Sequence, residues 1–83
     1  MAYNNPSSGL GFNVIRGSAT ISAGSTSVVV NLPTSISSYS VLITPTNAIS
    51  VLYWVSNKTA TSFTINLASA LLSNVNFDYV IFY

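Results

Sequence analysis

The chain has 83 residues, 49% of them apolar, and its mean hydropathy is +0.56. Its ionic side chains are two cations, Arg16 and Lys58, and one anion, Asp78, while His, Cys, Glu and Gln are absent. That inventory excludes disulfides, His/Cys metal centres, a carboxylate cage for a hard cation, the carboxylate pair of a glycosidase and a Ser-His-Asp triad.

Read in chain order, residues 1–14 are expected to be a flexible N-terminal arm. Asn4-Asn5-Pro6-Ser7-Ser8-Gly9 is made of turn formers. Leu10, Phe12 and Val14 then alternate with small or polar residues, the signature of a half-buried strand. Residues 15–83 read as one β domain. Ser18 to Ser22 places Ala19 and Ile21 on one face, and Ala23-Gly24-Ser25 turns the chain. Ser27 to Leu32 places Val28, Val30 and Leu32 on one side, and Pro33, which cannot donate to a ladder, ends it.

Tyr39 to Thr44 is the next expected strand, with Val41 and Ile43 opposite Leu42. Ile49 to Ser56 carries apolar residues on both faces, which predicts a central strand or one at an interface. Ser56 to Ala60 is a short connection, and Thr61 to Leu67 returns with Phe63, Ile65 and Leu67 in alternation, forming the clearest hairpin. Residues 68–73 are too short for an independent helix. Val75 to Tyr83 closes the chain, with Val75, Phe77, Tyr79, Ile81 and Tyr83 on one face and Asn76, Asp78, Val80 and Phe82 on the other. Short strands between turn signals predict an all-β fold, a small antiparallel β-sandwich or jelly-roll-like barrel of six to seven strands.

A domain of this size has a thin core and usually relies on a staple. With disulfides and metals excluded, association with further copies is the staple that remains. A net charge of +1 gives little colloidal protection against it. Nucleic acid is excluded as a partner, because phosphate binding takes several Lys or Arg per site. No apolar run approaches the length of a membrane span, so membrane insertion is not expected. Met1 to Pro6 lacks the basic and apolar segments of a secretory signal. No cofactor is expected.

Trp54 and Phe82 stand opposite their strands' main apolar rows, which marks them for a subunit contact or, less favoured, for stacking on a sugar ring. Leu10, Phe12, Val14 and Tyr83 join them as candidate self-association residues, the first three by donation of a strand to a neighbour. An Asp in an apolar strand calls for a partner, so a salt bridge from Asp78 to Arg16 or Lys58 is expected, within one chain or between chains. Asn57-Lys58-Thr59 matches a glycosylation acceptor and reads as a hairpin turn.

The run Val41-Leu42-Ile43-Thr44-Pro45-Thr46, the stretch Tyr53-Trp54-Val55-Ser56-Asn57-Lys58-Thr59-Ala60-Thr61-Ser62-Phe63-Thr64-Ile65 and the close Val75-Asn76-Phe77-Asp78-Tyr79 resemble small β-sandwich domains of phage and viral fibre proteins, which are similar to H-type lectins. The charge-poor composition also resembles extracellular filament subunits of archaea and their viruses. These resemblances imply a virion or extracellular location and trimers or filaments with the C-terminal strand near the contact. Exposure on the particle would bring host attachment, with a host-surface glycan as a further partner. The lectins' sugar binding is not carried over, because the scarcity of charge departs from typical members. The expected function is a non-enzymatic, self-associating structural subunit of a virion fibre or extracellular filament. The alternatives are an H-type lectin-like carbohydrate-binding module and a secreted pilus or surface-layer subunit.

Overall fold

A computed structural model of the chain describes residues 13–83. Six strands run along them: β1 (Val14–Ile21), β2 (Ser27–Asn31), β3 (Ser40–Pro45), β4 (Tyr53–Ser56), β5 (Ser62–Leu67) and β6 (Val75–Phe82). They form two three-stranded antiparallel sheets, β1-β6-β3 and β2-β5-β4, with no helix among the described residues. The fold is a small β-sandwich, as expected.

Period-two alternation decides which side chains meet between the sheets. The central strands supply the deepest part of the core: Phe63, Ile65 and Leu67 from β5, and Val75, Phe77 and Ile81 from β6, are all buried. Ile21 and Val30 reach in from the edges, and Ile36 and Tyr39 cap the core from the β2–β3 connection. Two aromatic contacts tie the layers together. The Phe63 and Tyr79 rings meet edge to face at 5.5 Å, and Tyr53 tilts against Phe77, also at 5.5 Å.

Tyr79 also explains Gly17. The two are cross-strand partners on the inner face of sheet β1-β6-β3, and the tyrosine ring lies over the glycine. A Cβ at position 17 would stand 2.6 Å from Tyr79 Cζ. The side-chain-free position lets β1 run unbroken from Val14 to Ile21 beneath an aromatic ring.

Two expectations change. The first strand is longer than the pattern from Ser18 predicts. Val14, placed in the arm by sequence, belongs to β1 and pairs with Phe82, and Asn13 exchanges both backbone hydrogen bonds with Tyr83 (2.7 and 3.0 Å). Leu10, Phe12 and the rest of the expected arm lie outside the described residues. The strand expected over Ile49 to Ser56 is reduced to β4, and it is an edge, not a central strand. Residues 46–52 instead cross from one sheet to the other, and Ile49 and Val51 pack against the core on the way. Their apolar character belongs to a loop that plugs the side of the sandwich, which alternation alone imitates.

Candidate interaction surfaces

The registers of the two sheets determine what each shows on its outer face. On sheet β1-β6-β3 the outward side chains form cross-strand rows. At one end lie Val14, Phe82 and Ser40, then Arg16, Val80 and Leu42. Ser18, Asp78 and Thr44 follow, and Thr20 with Asn76 ends the series. The face therefore grades from apolar to hydroxyl- and amide-rich, with its cation and its anion on adjoining rows at the middle. Leu42 is 60% exposed and Val14 47%. Thr20 Oγ1 donates to Asn76 Oδ1 at 2.6 Å across the polar end.

Arg16, Ser18, Asp78 and Val80 surround a shallow depression of about 460 Å³ whose floor is the Gly17–Tyr79 pair. Arg16 and Asp78 are diagonal neighbours, a spacing that long side chains can bridge. Among the described residues, neither makes an ion pair or side-chain hydrogen bond.

Lys58 stands elsewhere. It follows β4 and donates from Nζ to the Tyr39 carbonyl at 2.6 Å, with its ammonium 5.0 Å from the centre of the Tyr39 ring. The Tyr39 hydroxyl in turn lies within donating distance of two carbonyls, those of Thr59 (2.7 Å) and Ser62 (2.9 Å). Burial pushes the Tyr39 phenol above its ordinary value, because the charged form loses its water. This latch joins the β2–β3 connection to the β4–β5 turn. Lys58 is thereby committed to Tyr39 and not to Asp78. No salt bridge joins Asp78 to either cation within the described chain, which leaves the between-chain form of that expectation.

The β4–β5 connection is a turn, as read from Asn57-Lys58-Thr59. Asn57 has a φ of 50°, a left-handed conformation that Asn tolerates. Thr59 Oγ1 accepts from the Ser62 amide at 3.1 Å, closing the turn.

The outer face of sheet β2-β5-β4 is built from different residues. Ser27, Asn66 and Trp54 form one row, Val29, Thr64 and Ser56 the next, and Asn31 with Ser62 the last. It carries no ionic side chain. Asn66 Nδ2 donates to Ser56 Oγ at 2.8 Å and to the Trp54 carbonyl at 3.3 Å, bracing the β4 edge. Trp54 is 48% exposed, on the face opposite the core as its strand position predicts.

The remaining candidates divide in the same way. Phe82 is half-buried on the outer face of the first sheet, and Tyr83 is exposed just beyond β6. Sequence reasoning did not single out Leu42, Val29, Leu52 or Leu72, all of them exposed. The signal for Leu42 was available, since it stands alone against Val41 and Ile43. Leu72 lies in a loop, where no periodicity marks it. Leu71, Leu72, Ile49, Asn47 and Asn74 line a second cleft, of about 350 Å³, between the β3–β4 and β5–β6 loops. Both Asn side chains there act as structural acceptors, from the Asn76 and Ala23 amides at 2.9 Å each.

No protein-family model matches the chain, and no curated protein matches it.

Proposed function

We propose that this domain is a non-enzymatic structural subunit that works by associating with copies of itself, as in a virion fibre or an extracellular filament. The carrying observation is the coexistence of large apolar side chains on the outside of both sheets with almost no charge to keep copies apart. Val14, Leu42, Val29 and Trp54 all face outward from regular strands. Scattered exposed apolar residues are ordinary on a protein surface. Here they stand on sheet faces whose other outward residues are mostly Ser, Thr and Asn, uncharged groups that cost far less to bury than ions once their hydroxyls and amides are hydrogen-bonded across the contact. The sequence before Asn13 adds Leu10 and Phe12, whose alternation suits donation of a strand to a neighbour.

Sedimentation velocity over a wide concentration range, together with electron microscopy, tests the reading. Closed oligomers or filaments are the expected result. A species that stays monomeric at every concentration refutes it. Deleting residues 1–12, which spares the paired Asn13 and Val14, is expected to weaken assembly without unfolding the domain. An unchanged assembly state would remove the arm from the mechanism.

A carbohydrate-binding role is the second reading, favoured by one observation: Trp54 lies exposed on an uncharged face beside Asn66, which suits stacking on a neutral sugar ring. Selective glycan binding that is lost in Trp54→Ala would establish it.

A further inference from the structure

Arg16 and Asp78 present a pairing that the chain does not complete by itself. They are the only ions on the outer face of sheet β1-β6-β3, they stand on adjoining rows, and both are exposed. Neither has an ionic partner among the described residues. Between them lies the depression floored by Gly17 and Tyr79.

We propose that this face is the contact between two copies of the chain, related by a two-fold axis that lies in the plane between the sheets, perpendicular to the strands, and passes over that depression. The inference rests on the self-association reading and gives it a surface. Such an axis keeps each strand over its own copy and exchanges the Arg16 row with the Asp78 row. Each Arg16 then stands one strand away, about 5 Å sideways, from the partner copy's Asp78, with the two sheets about 10 Å apart. An extended arginine spans that gap. One cation and one anion per face thus become two ion pairs per contact, and every charge on the face is matched. Self-complementarity of this kind is what an isologous interface demands.

The same operation sets Leu42 against Thr44 of the other copy. Val14 is set against Thr20, so that apolar side chains meet threonine methyls. A face of two eight-residue strands and one six-residue strand covers roughly 350 Å² per copy from strand spacings alone. That lies below the area of a stable stand-alone dimer. The contact is therefore weak between isolated copies and contributes as one interface within a larger assembly.

Charge reversal tests the proposal. Arg16→Glu leaves two anions on the face and Asp78→Lys leaves two cations, so each variant opposes like charges across the axis. Each is expected to self-associate at least about tenfold more weakly than the parent chain by sedimentation velocity, a change of about 1.4 kcal/mol. An equimolar mixture of the two variants is expected to recover association, because each then supplies the charge that the other lacks. Raising the salt concentration is expected to weaken the parent contact, a readout that needs no variant. Parent-like association of both variants, or a mixture no stronger than either alone, overturns the proposal while leaving self-association through another face intact. A parent chain that never associates overturns both.

Discussion

The two sheets are alike inside and unlike outside. Each contributes a central strand whose inward side chains are almost fully enclosed: Phe63 and Ile65 in β5, Phe77 and Ile81 in β6. Their outward rows differ. β6 carries Asn76, Asp78, Val80 and Phe82, which pass from polar to apolar along the strand, whereas β5 carries only Ser62, Thr64 and Asn66. Equivalent burial fixes the inner faces, because a wrong residue there costs stability directly. The outer faces are free of that constraint and can diverge without cost to the core. A sheet needing only water would do well with the β5 pattern. The aliphatic and ionic residues on the β6 side depart from that pattern, and on the second sheet Val29 and Trp54, on the strands flanking β5, do so as well.

The inner equivalence is the part of the comparison that carries the largest effects. Phe63→Ala and Phe77→Ala are each expected to cost about 3–5 kcal/mol, by lost transfer energy and the cavity left behind. A domain of this length has roughly 4–12 kcal/mol to lose. Chemical denaturation at low protein concentration measures both. Similar losses support two equivalent halves; a loss confined to one would show that a single sheet dominates the core.

Gly17 gives the next effect. Gly17→Ala drives a Cβ into the Tyr79 ring and is expected to cost about 1–3 kcal/mol as overpacking. The diagnostic is coupling: in a Tyr79→Leu background the same change is expected to cost clearly less. Additive costs would mean that the ring is not what reserves the position.

On the other side of the sandwich, the Tyr39 latch predicts a dependence on alkali. The Tyr39 phenol is raised above its usual value by burial. The folded state therefore favours the neutral form. Its contribution is complete below the unfolded value of about 10 and is lost as pH rises through the folded value. Denaturation midpoints are expected to fall above pH 10 more steeply in the parent than in Tyr39→Phe. Parallel curves would remove Tyr39 as the cause. Lys58→Met, which keeps the aliphatic stem but loses the bond to the Tyr39 carbonyl, is expected to cost about 1 kcal/mol at neutral pH.

The sequence carried the inner faces well and the surfaces unevenly. Strict alternation in Phe63-Thr64-Ile65-Asn66-Leu67 and in Val75 to Tyr83 has a single solution when one side must be buried, and both strands are found within one residue of the ends expected. Ile49 to Ser56 misled because apolar loop residues that plug a sandwich look like a two-faced central strand. Gly17 interrupted the apparent start of the first strand, since the ring that compensates for it lies 62 residues further on, at Tyr79. Trp54 was legible as outward-facing from its parity alone. The separation of Lys58 from Asp78 was not, because it depends on which sheet each strand joins. A count of three ions cannot convey that.

The smallest expected effects decide what the outer faces are for. Leu42→Ser on the first sheet and Val29→Ser on the second both replace an exposed residue facing away from the core. In dilute solution each is expected to change stability by no more than about 0.5 kcal/mol, the usual range for surface substitutions. They are expected to part company when association is measured. Leu42 lies on the row of Arg16, on the face proposed to meet a second copy, so its loss should shift self-association to higher concentration. Val29 lies on the face without ions, and its loss should leave the same curve in place. Equal shifts from the two would mean that association follows exposed apolar area wherever it lies, and a shift from Val29→Ser alone would move the contact to the sheet that carries Trp54.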